Sequence, residues 1–191
     1  MSRKLLLALD IGNVCIRINH QNCAEYLGFG TIPEPLRQKA LEYECGQCSE
    51  NEFFSGLHTL LNGRFSPEKI KAAFNSILIE PVPGMVELVQ SFSGMGVKEV
   101  FFSDISPTHL QRTSEIFPAA CQVPDGIYSF ATGAMKPDKK MFNAFENHFG
   151  TPDLYVDDRS ELIAGAKKHG WHAVQFTAAE QLREELKKLI G

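Results

Sequence analysis

An apolar run that breaks on an acid constrains this chain more than any other stretch. Leu5-Leu6-Leu7-Ala8-Leu9 leads directly into Asp10-Ile11-Gly12-Asn13-Val14. A strand with one solvated face alternates apolar and polar residues. One that is apolar throughout reads as buried on both faces, the condition of a central strand in a helix-covered parallel sheet. Gly12 and Asn13 tolerate left-handed backbone and mark the turn that ends the strand. Asp10 therefore falls at a carboxyl end, where open α/β sheets place their ligands. Burying a carboxylate there is costly unless a metal, a counter-charge or a reaction uses it.

The rest of the chain divides by rhythm. Residues 17–80 contain no convincing strand. Ser49-Glu50-Asn51-Glu52 is a capping box ahead of a helix with Phe53, Leu57, Leu60 and Leu61 on one face. Ser66-Pro67 opens another, and Pro33-Glu34-Pro35 precedes a third. From Pro81 onward, helices and strands alternate. A helix over 84–92 is followed by a strand over 97–102 ending at Ser103-Asp104, then by a helix capped at Ser106-Pro107. The stretch 118–132 reads as loop. Pro137 opens a helix with Lys136 at its N-cap, and Leu154-Tyr155-Val156 is a strand ending at Asp157-Asp158. The next helix stops at His169-Gly170, a strand runs over 172–176, and Thr177 to Glu180 forms a capping box for the last helix. The expected fold class is α/β: a Rossmann-like, doubly wound parallel sheet from residues 1–16 and 81–191, with an all-helical insertion over 17–80.

Composition excludes several roles. Nineteen basic against 23 acidic residues give a net charge of −4 with no Lys/Arg stripe, which argues against nucleic acid as a partner. No apolar run approaches the roughly 20 residues of a membrane span. Met1-Ser2-Arg3-Lys4 enters the first strand at once without a cleavage site, so a cytoplasmic protein is expected. Cys45-Gly46-Gln47-Cys48 has the spacing of half a zinc site, but nothing in the sequence completes it, and free thiols are expected.

Three strands thus end in Asp10, Ser103-Asp104 and Asp157-Asp158, with Lys136 between the second and third. Lysine supplies no acceptor at an N-cap, so its presence there points to another use. Carboxylate oxygens suit a hard cation, and lysine and hydroxyl suit phosphate oxygens, so together these groups describe a magnesium–phosphate site. Asp158 with Glu161 also reads as a simple capping box.

In order and spacing these residues resemble the haloacid dehalogenase-like (HAD) hydrolase superfamily. Asp10 to Val14 is similar to its first motif, Phe101-Phe102-Ser103-Asp104 to its second, Lys136-Pro137 to its third and Val156-Asp157-Asp158 to its fourth. The helical insertion resembles a C1 cap, and the D-x-G-N-V pattern resembles the branch of α-D-glucose-1-phosphatase-like sugar-1-phosphate phosphatases. The resemblance implies a Mg²⁺-dependent phosphatase of small phosphorylated metabolites. Asp10 would be the nucleophile, forming an aspartyl-phosphate. Asp10, Asp158, the Gly12 carbonyl and Asp157, directly or through water, would hold Mg²⁺. Ser103, the backbone at Asp104, and Lys136 would bind the phosphoryl group, with Lys136 also neutralising Asp10. Three departures stand out: Leu162 stands where many relatives carry another acid after the fourth motif, although Glu161 lies next to it, and two more concern the first and second motifs. Most relatives carry a second Asp, the general acid, at the position of Gly12, and Asp104 replaces an asparagine beside the phosphate. They motivate an alternative, a phosphate-binding regulatory protein with little activity. A haloacid dehalogenase is a further alternative, set apart by the bulky aromatic that branch carries where this chain has Gly12.

Overall fold

The computed structural model describes residues 3–191. The chain opens with β1 (Leu5–Leu9) and β2 (Ile16–Ile18). Four helices follow, α1 (His20–Tyr26), α2 (Glu34–Glu44), α3 (Glu50–Leu60) and α4 (Pro67–Asn75), and then β3 (Leu78–Pro81). Beyond β3 come α5 (Met85–Met95), β4 (Val97–Ser103), α6 (Pro107–Ile116), a 3₁₀ turn (Pro118–Gln122), β5 (Gly126–Tyr128) and the short α7 (Ser129–Thr132). The chain closes with α8 (Lys139–Phe149), β6 (Leu154–Asp157), α9 (Ser160–His169), β7 (Ala173–Gln175) and α10 (Ala179–Ile190).

The sheet is five-stranded and parallel, in the order β5-β4-β1-β6-β7. β1 lies at its centre, as its unbroken apolar character requires. Successive side chains of a strand point to opposite faces, so one strand serves two cores. Leu7 and Leu9 pack with Met85, Phe92, Leu182 and Leu186 on one side. Leu6 and Ala8 pack with Phe102, Phe142, Phe145 and Trp171 on the other. A third cluster joins Leu36, Tyr43, Phe53, Leu57, Ile70 and Phe74 from α2, α3 and α4. The chain runs outward from β1 first to β4 and β5, then returns to β6 and β7. The carboxyl ends flanking β1 therefore form the crevice at which the winding reverses.

Helix starts follow the expected chemistry in several places. Ser49 and Glu52 make the reciprocal capping box of α3, and Ser66 and Ser106 each accept the N–H three residues on, with proline at the first helical position. Elsewhere the structure departs from the sequence reading. Asn13, at φ 52°, takes the left-handed position of the first turn, and Gly12 does not. Residues 17–80 are not free of strand. β2 and β3 form an antiparallel ribbon at the two ends of the helical stretch, each too short for periodicity to reveal. The supposed loop over 118–132 contains β5 and α7, because β5 is held by pairing with β4 and not by its own composition. Lys136 is not an N-cap. α8 starts later, at Lys139, capped by Asp138, whose side chain accepts the Lys140 N–H at 2.8 Å. Neither Thr177 nor Asp158 caps a helix; α10 follows Ala178 and α9 follows Arg159, both without side-chain caps.

Candidate active site

Asp10 follows β1, Asp104 follows β4 and Asp158 follows β6, and Ser103 and Asp157 are the last residues of β4 and β6. Parallel register brings them level: Leu9 pairs with both Phe101 and Val156, and the Asp10 N–H donates to the Val156 carbonyl at 3.0 Å. Lys136 reaches the same edge from the segment before α8. Its buried ammonium donates to Asp10 Oδ1 at 2.9 Å, Asp157 Oδ2 at 2.7 Å and the Phe102 carbonyl at 3.0 Å. Three donors meet three acceptors, which is how a lysine tolerates full burial. The Phe102 and Tyr155 rings lie 5.5 and 5.6 Å from the ammonium and close it off from water.

The two carboxylates on Lys136 are not equivalent. Burial raises the Asp10 carboxyl to about 6, with Lys136 and the Ser103 hydroxyl acting in the opposite direction and the Asp157 charge adding to the rise. Burial opposes the ionisation of Asp157 too, but Lys136, the Tyr155 hydroxyl and the Arg159 N–H together outweigh it and hold this carboxyl below its ordinary range. Asp157 Oδ2 accepts from both Lys136 and Tyr155, and Oδ1 accepts from the Arg159 N–H at 2.9 Å. Its lone pairs are largely committed. Asp158 is half-buried, which raises its carboxyl. It is aimed by Asn13, whose Nδ2 donates to Asp158 Oδ2 at 3.1 Å while its Oδ1 accepts the Ile18 N–H at 3.0 Å. Asp10, Asp157 and Asp158 each present an oxygen within 4.8 Å of the others. They are the one such cluster of acidic, histidine or cysteine ligands among the described residues. Cys45 and Cys48 are free thiols outside it.

Asp10 and Asp158 line a cavity of about 450 Å³ together with Ser103, Asp104, Arg159, His20, Glu44 and His109. Asp104, the awkward carboxylate of the sequence, is compensated. Its Oδ1 accepts the Lys136 N–H at 2.9 Å, and its Oδ2 takes Arg159 Nη2 at 3.0 Å. At Gly12 a Cβ would stand 3.2 Å from Ile18 Cδ1, so an apolar side chain from β2 borders the position of the missing second Asp.

Three site residues escaped the sequence reading. Asn13 reads from sequence as a turn residue and as part of the D-x-G-N-V pattern, and nothing in the sequence singles out Arg159. Glu44 had no local signal at all. It arrives at the cavity because the end of α2 docks on the core. The Tyr43 hydroxyl meets Thr108 Oγ1 at 2.8 Å, and Ser129 Oγ donates to the Glu44 carbonyl at 2.6 Å. Burial, with the Asp104 charge adding and Arg159 opposing, pushes the Glu44 carboxyl up to about 7.

No protein-family model matches the sequence, and no curated protein matches it. Solved structures do. The HAD family enzyme BT-2542 of Bacteroides thetaiotaomicron, solved in complex with magnesium and inorganic phosphate, superposes with a TM-score of 0.77 at 21% identity, over 93% of this chain and 96% of that one. A predicted HAD-like family hydrolase of Porphyromonas gingivalis gives 0.80 at 18% identity, over 99% and 98%. The L-2-haloacid dehalogenase of Xanthobacter autotrophicus gives 0.62 at 20% identity, over 98% and 83%. With the parallel sheet and its strand-end carboxylates, these likenesses establish that the chain has the fold of the haloacid dehalogenase-like superfamily.

Proposed function

We propose that this protein is a Mg²⁺-dependent phosphatase of small phosphorylated metabolites that works through an aspartyl-phosphate on Asp10. The observation that carries the reading is Asp10, held from behind by the buried Lys136–Asp157 pair, lining one cavity with Ser103 and Asp158 at the sheet's carboxyl edge. A bound magnesium and phosphate in the BT-2542 structure supports it.

The donor set fits a hard divalent cation. The three clustered carboxylates offer only oxygen, and Lys136 offsets one of their charges, leaving an excess of negative charge. Asp10, Asp158 and the Gly12 carbonyl would hold the ion. Asp157, its lone pairs already engaged, would act through Lys136 or a water. When bound, Mg²⁺ neutralises the phosphoryl oxygens facing Asp10.

Asp10 Oδ attacks phosphorus, the ester P–O bond breaks, and the alcohol departs with the bonding pair. Lys136 fixes the nucleophile and, with Ser103, balances charge on the phosphoryl group. Water then hydrolyses the acyl phosphate, releasing inorganic phosphate and restoring Asp10. Glu44 takes the role that Gly12 cannot fill: protonated near neutral pH, it gives its proton to the leaving oxygen. Residues 17–80 act as a cap domain that covers the leaving group, with residues 1–16 and 81–191 as the catalytic domain.

The test is Mg²⁺-dependent phosphate release from p-nitrophenyl phosphate and from alkyl phosphates, with EDTA as the metal control. Asp10→Asn, which keeps an oxygen acceptor for Lys136, should abolish turnover of both while the protein still unfolds in one cooperative thermal transition. Near-wild-type turnover by that variant would remove the nucleophile assignment. Glu44→Gln should lower kcat on alkyl esters by about 10²–10⁴-fold, and far less on the aryl ester, whose leaving group needs no acid. Because Glu44 acts as an acid, wild-type activity on alkyl esters should fall as pH rises through about 7, and this limb should vanish in Glu44→Gln. Phosphate and Mg²⁺ binding without turnover would favour the alternative of a phosphate-binding regulatory protein. The compensation of Asp104 by Arg159 removes one of the two departures that motivated it.

A further inference from the structure

A second, partly open cavity of about 460 Å³ is lined by α1, α2, α3 and α4 together with Met135 and Arg159. Its lining is predominantly aliphatic and aromatic: Leu36, Ala40, Phe53, Leu57, Ile70 and Phe74 contribute from three of the helices. Phe53, Ile70 and Phe74 belong to the helical core whereas Arg37 is solvent-exposed, so the space is a partly open pocket that reaches into that core. A pocket of this size and apolar character is in the range of small-molecule sites.

The cavity is not isolated. His20, Glu44, Ile77, Met135 and Arg159 line both it and the catalytic cavity, so the two share a wall of five residues. A phosphoryl group seated against Asp10 and Ser103 would direct its leaving oxygen past this wall. The polar members, Glu44, Arg159 and His20, are shared by both cavities, and the rest of the lining is apolar except for Arg37, whose guanidinium is paired with Glu34. A sugar body would lose water from its hydroxyls there without finding partners, at a cost that an alkyl or aryl body does not incur.

Building on the phosphatase reading above, we infer that the leaving group of the substrate is apolar, a medium-chain alkyl or aryl alcohol esterified to phosphate, whose body fills the cavity among α1–α4. This narrows the substrate class away from the sugar phosphates that the sequence resemblance implied. Recognition is then divided. The strand-end groups read the phosphate, the junction residues surround the ester oxygen, and the helical core reads the hydrocarbon.

The experiment is a chain-length series of n-alkyl phosphates, from propyl to decyl, assayed beside glucose 1-phosphate, together with thermal-shift titrations of the matching n-alkylphosphonates. Burial of hydrocarbon predicts a rise in kcat/KM of about fourfold per added methylene until the cavity is full, and a parallel tightening of phosphonate binding. Ala40→Phe, which puts a ring into the cavity from α2, should flatten both series, so that the octyl-to-propyl ratio falls at least tenfold. A flat wild-type series with measurable turnover, or faster hydrolysis of glucose 1-phosphate than of octyl phosphate, overturns the apolar site and leaves the phosphatase standing. Chain-length-dependent phosphonate binding without hydrolysis of any ester overturns the phosphatase and supports the apolar site. Should Ala40→Phe fail to fold, the wild-type phosphonate series decides the question by itself.

Discussion

At the scale of single residues the site is organised by pairing. Lys136 is buried with two carboxylates and a carbonyl, and removing one partner of such a set strands the others. Arg159 plays the corresponding role at the rim. It holds the buried Asp104 carboxylate at 3.0 Å, next to where phosphate would bind. Arg159→Ala should therefore weaken phosphate binding about tenfold or more, because an uncompensated carboxylate would repel the anion. Asp104→Asn in the same chain should restore most of the loss, since an amide keeps the Lys136 N–H contact without the charge. Inorganic phosphate inhibition constants for the two single variants and the double variant check this. Additive losses would show that Arg159 does not act through Asp104.

At the scale of elements, the junction between α2 and the sheet domain controls the cavity. Gly46, just past α2, has φ +67° and leaves no room for a Cβ, which would stand 2.1 Å from the Phe130 carbonyl oxygen. On the other side of the junction, α6 carries His109, buried and stacked on Phe74 of α4 at a ring separation of 3.9 Å. Its Nε2 donates to the Phe74 carbonyl at 3.0 Å, which sets the neutral tautomer. Burial, with nearby His20 adding and the Phe74 carbonyl opposing, depresses the imidazole to about 4. A depressed histidine favours the folded state above its unfolded pKa near 6.5, and that stability is lost as pH falls toward 4. The loss should reach up to about 3 kcal/mol. Urea unfolding at pH 7.0 and 4.5 should show it in the wild type, and His109→Gln, which keeps a donor but cannot titrate, should show a smaller difference. An equal acid loss in both proteins would place the destabilisation elsewhere.

For the whole molecule, the acidic cluster imposes a global cost that a cation relieves. Asp10, Asp157 and Asp158 converge with one lysine among them, so on the proposed phosphatase reading the folded state would bind a divalent ion that the unfolded chain does not gather. At a hundred times its dissociation constant, Mg²⁺ should stabilise the fold by about 2.7 kcal/mol. For a chain of this length that is a rise in Tm of roughly 5–10 °C. Differential scanning calorimetry with Mg²⁺ and then EDTA checks this, and Asp158→Asn should remove the response. No helix among the described residues is long and apolar enough to cross a membrane.

Much of this was legible in the chain itself. The uninterrupted apolar character of Leu5–Leu9 required a strand buried on both faces, and β1 is the central one. The acids at the strand ends required a shared edge, and Asp10, Asp157 and Asp158 converge there with Lys136. These features are local, because periodicity and turn chemistry act over a few residues. Other features were settled only by tertiary structure, since they depend on what lies across a gap in sequence. β2, β3 and β5 are too short to be strands without their partners. Asp104 is acceptable because Arg159, 55 positions away, reaches it. Glu44 belongs to the site only because Tyr43 and Ser129 dock its helix against the sheet, where burial shifts its carboxyl upward. A cavity also has no sequence signature. Leu36, Phe53 and Ile70 read as ordinary core, and only the packing of four helices shows that they leave a space between them.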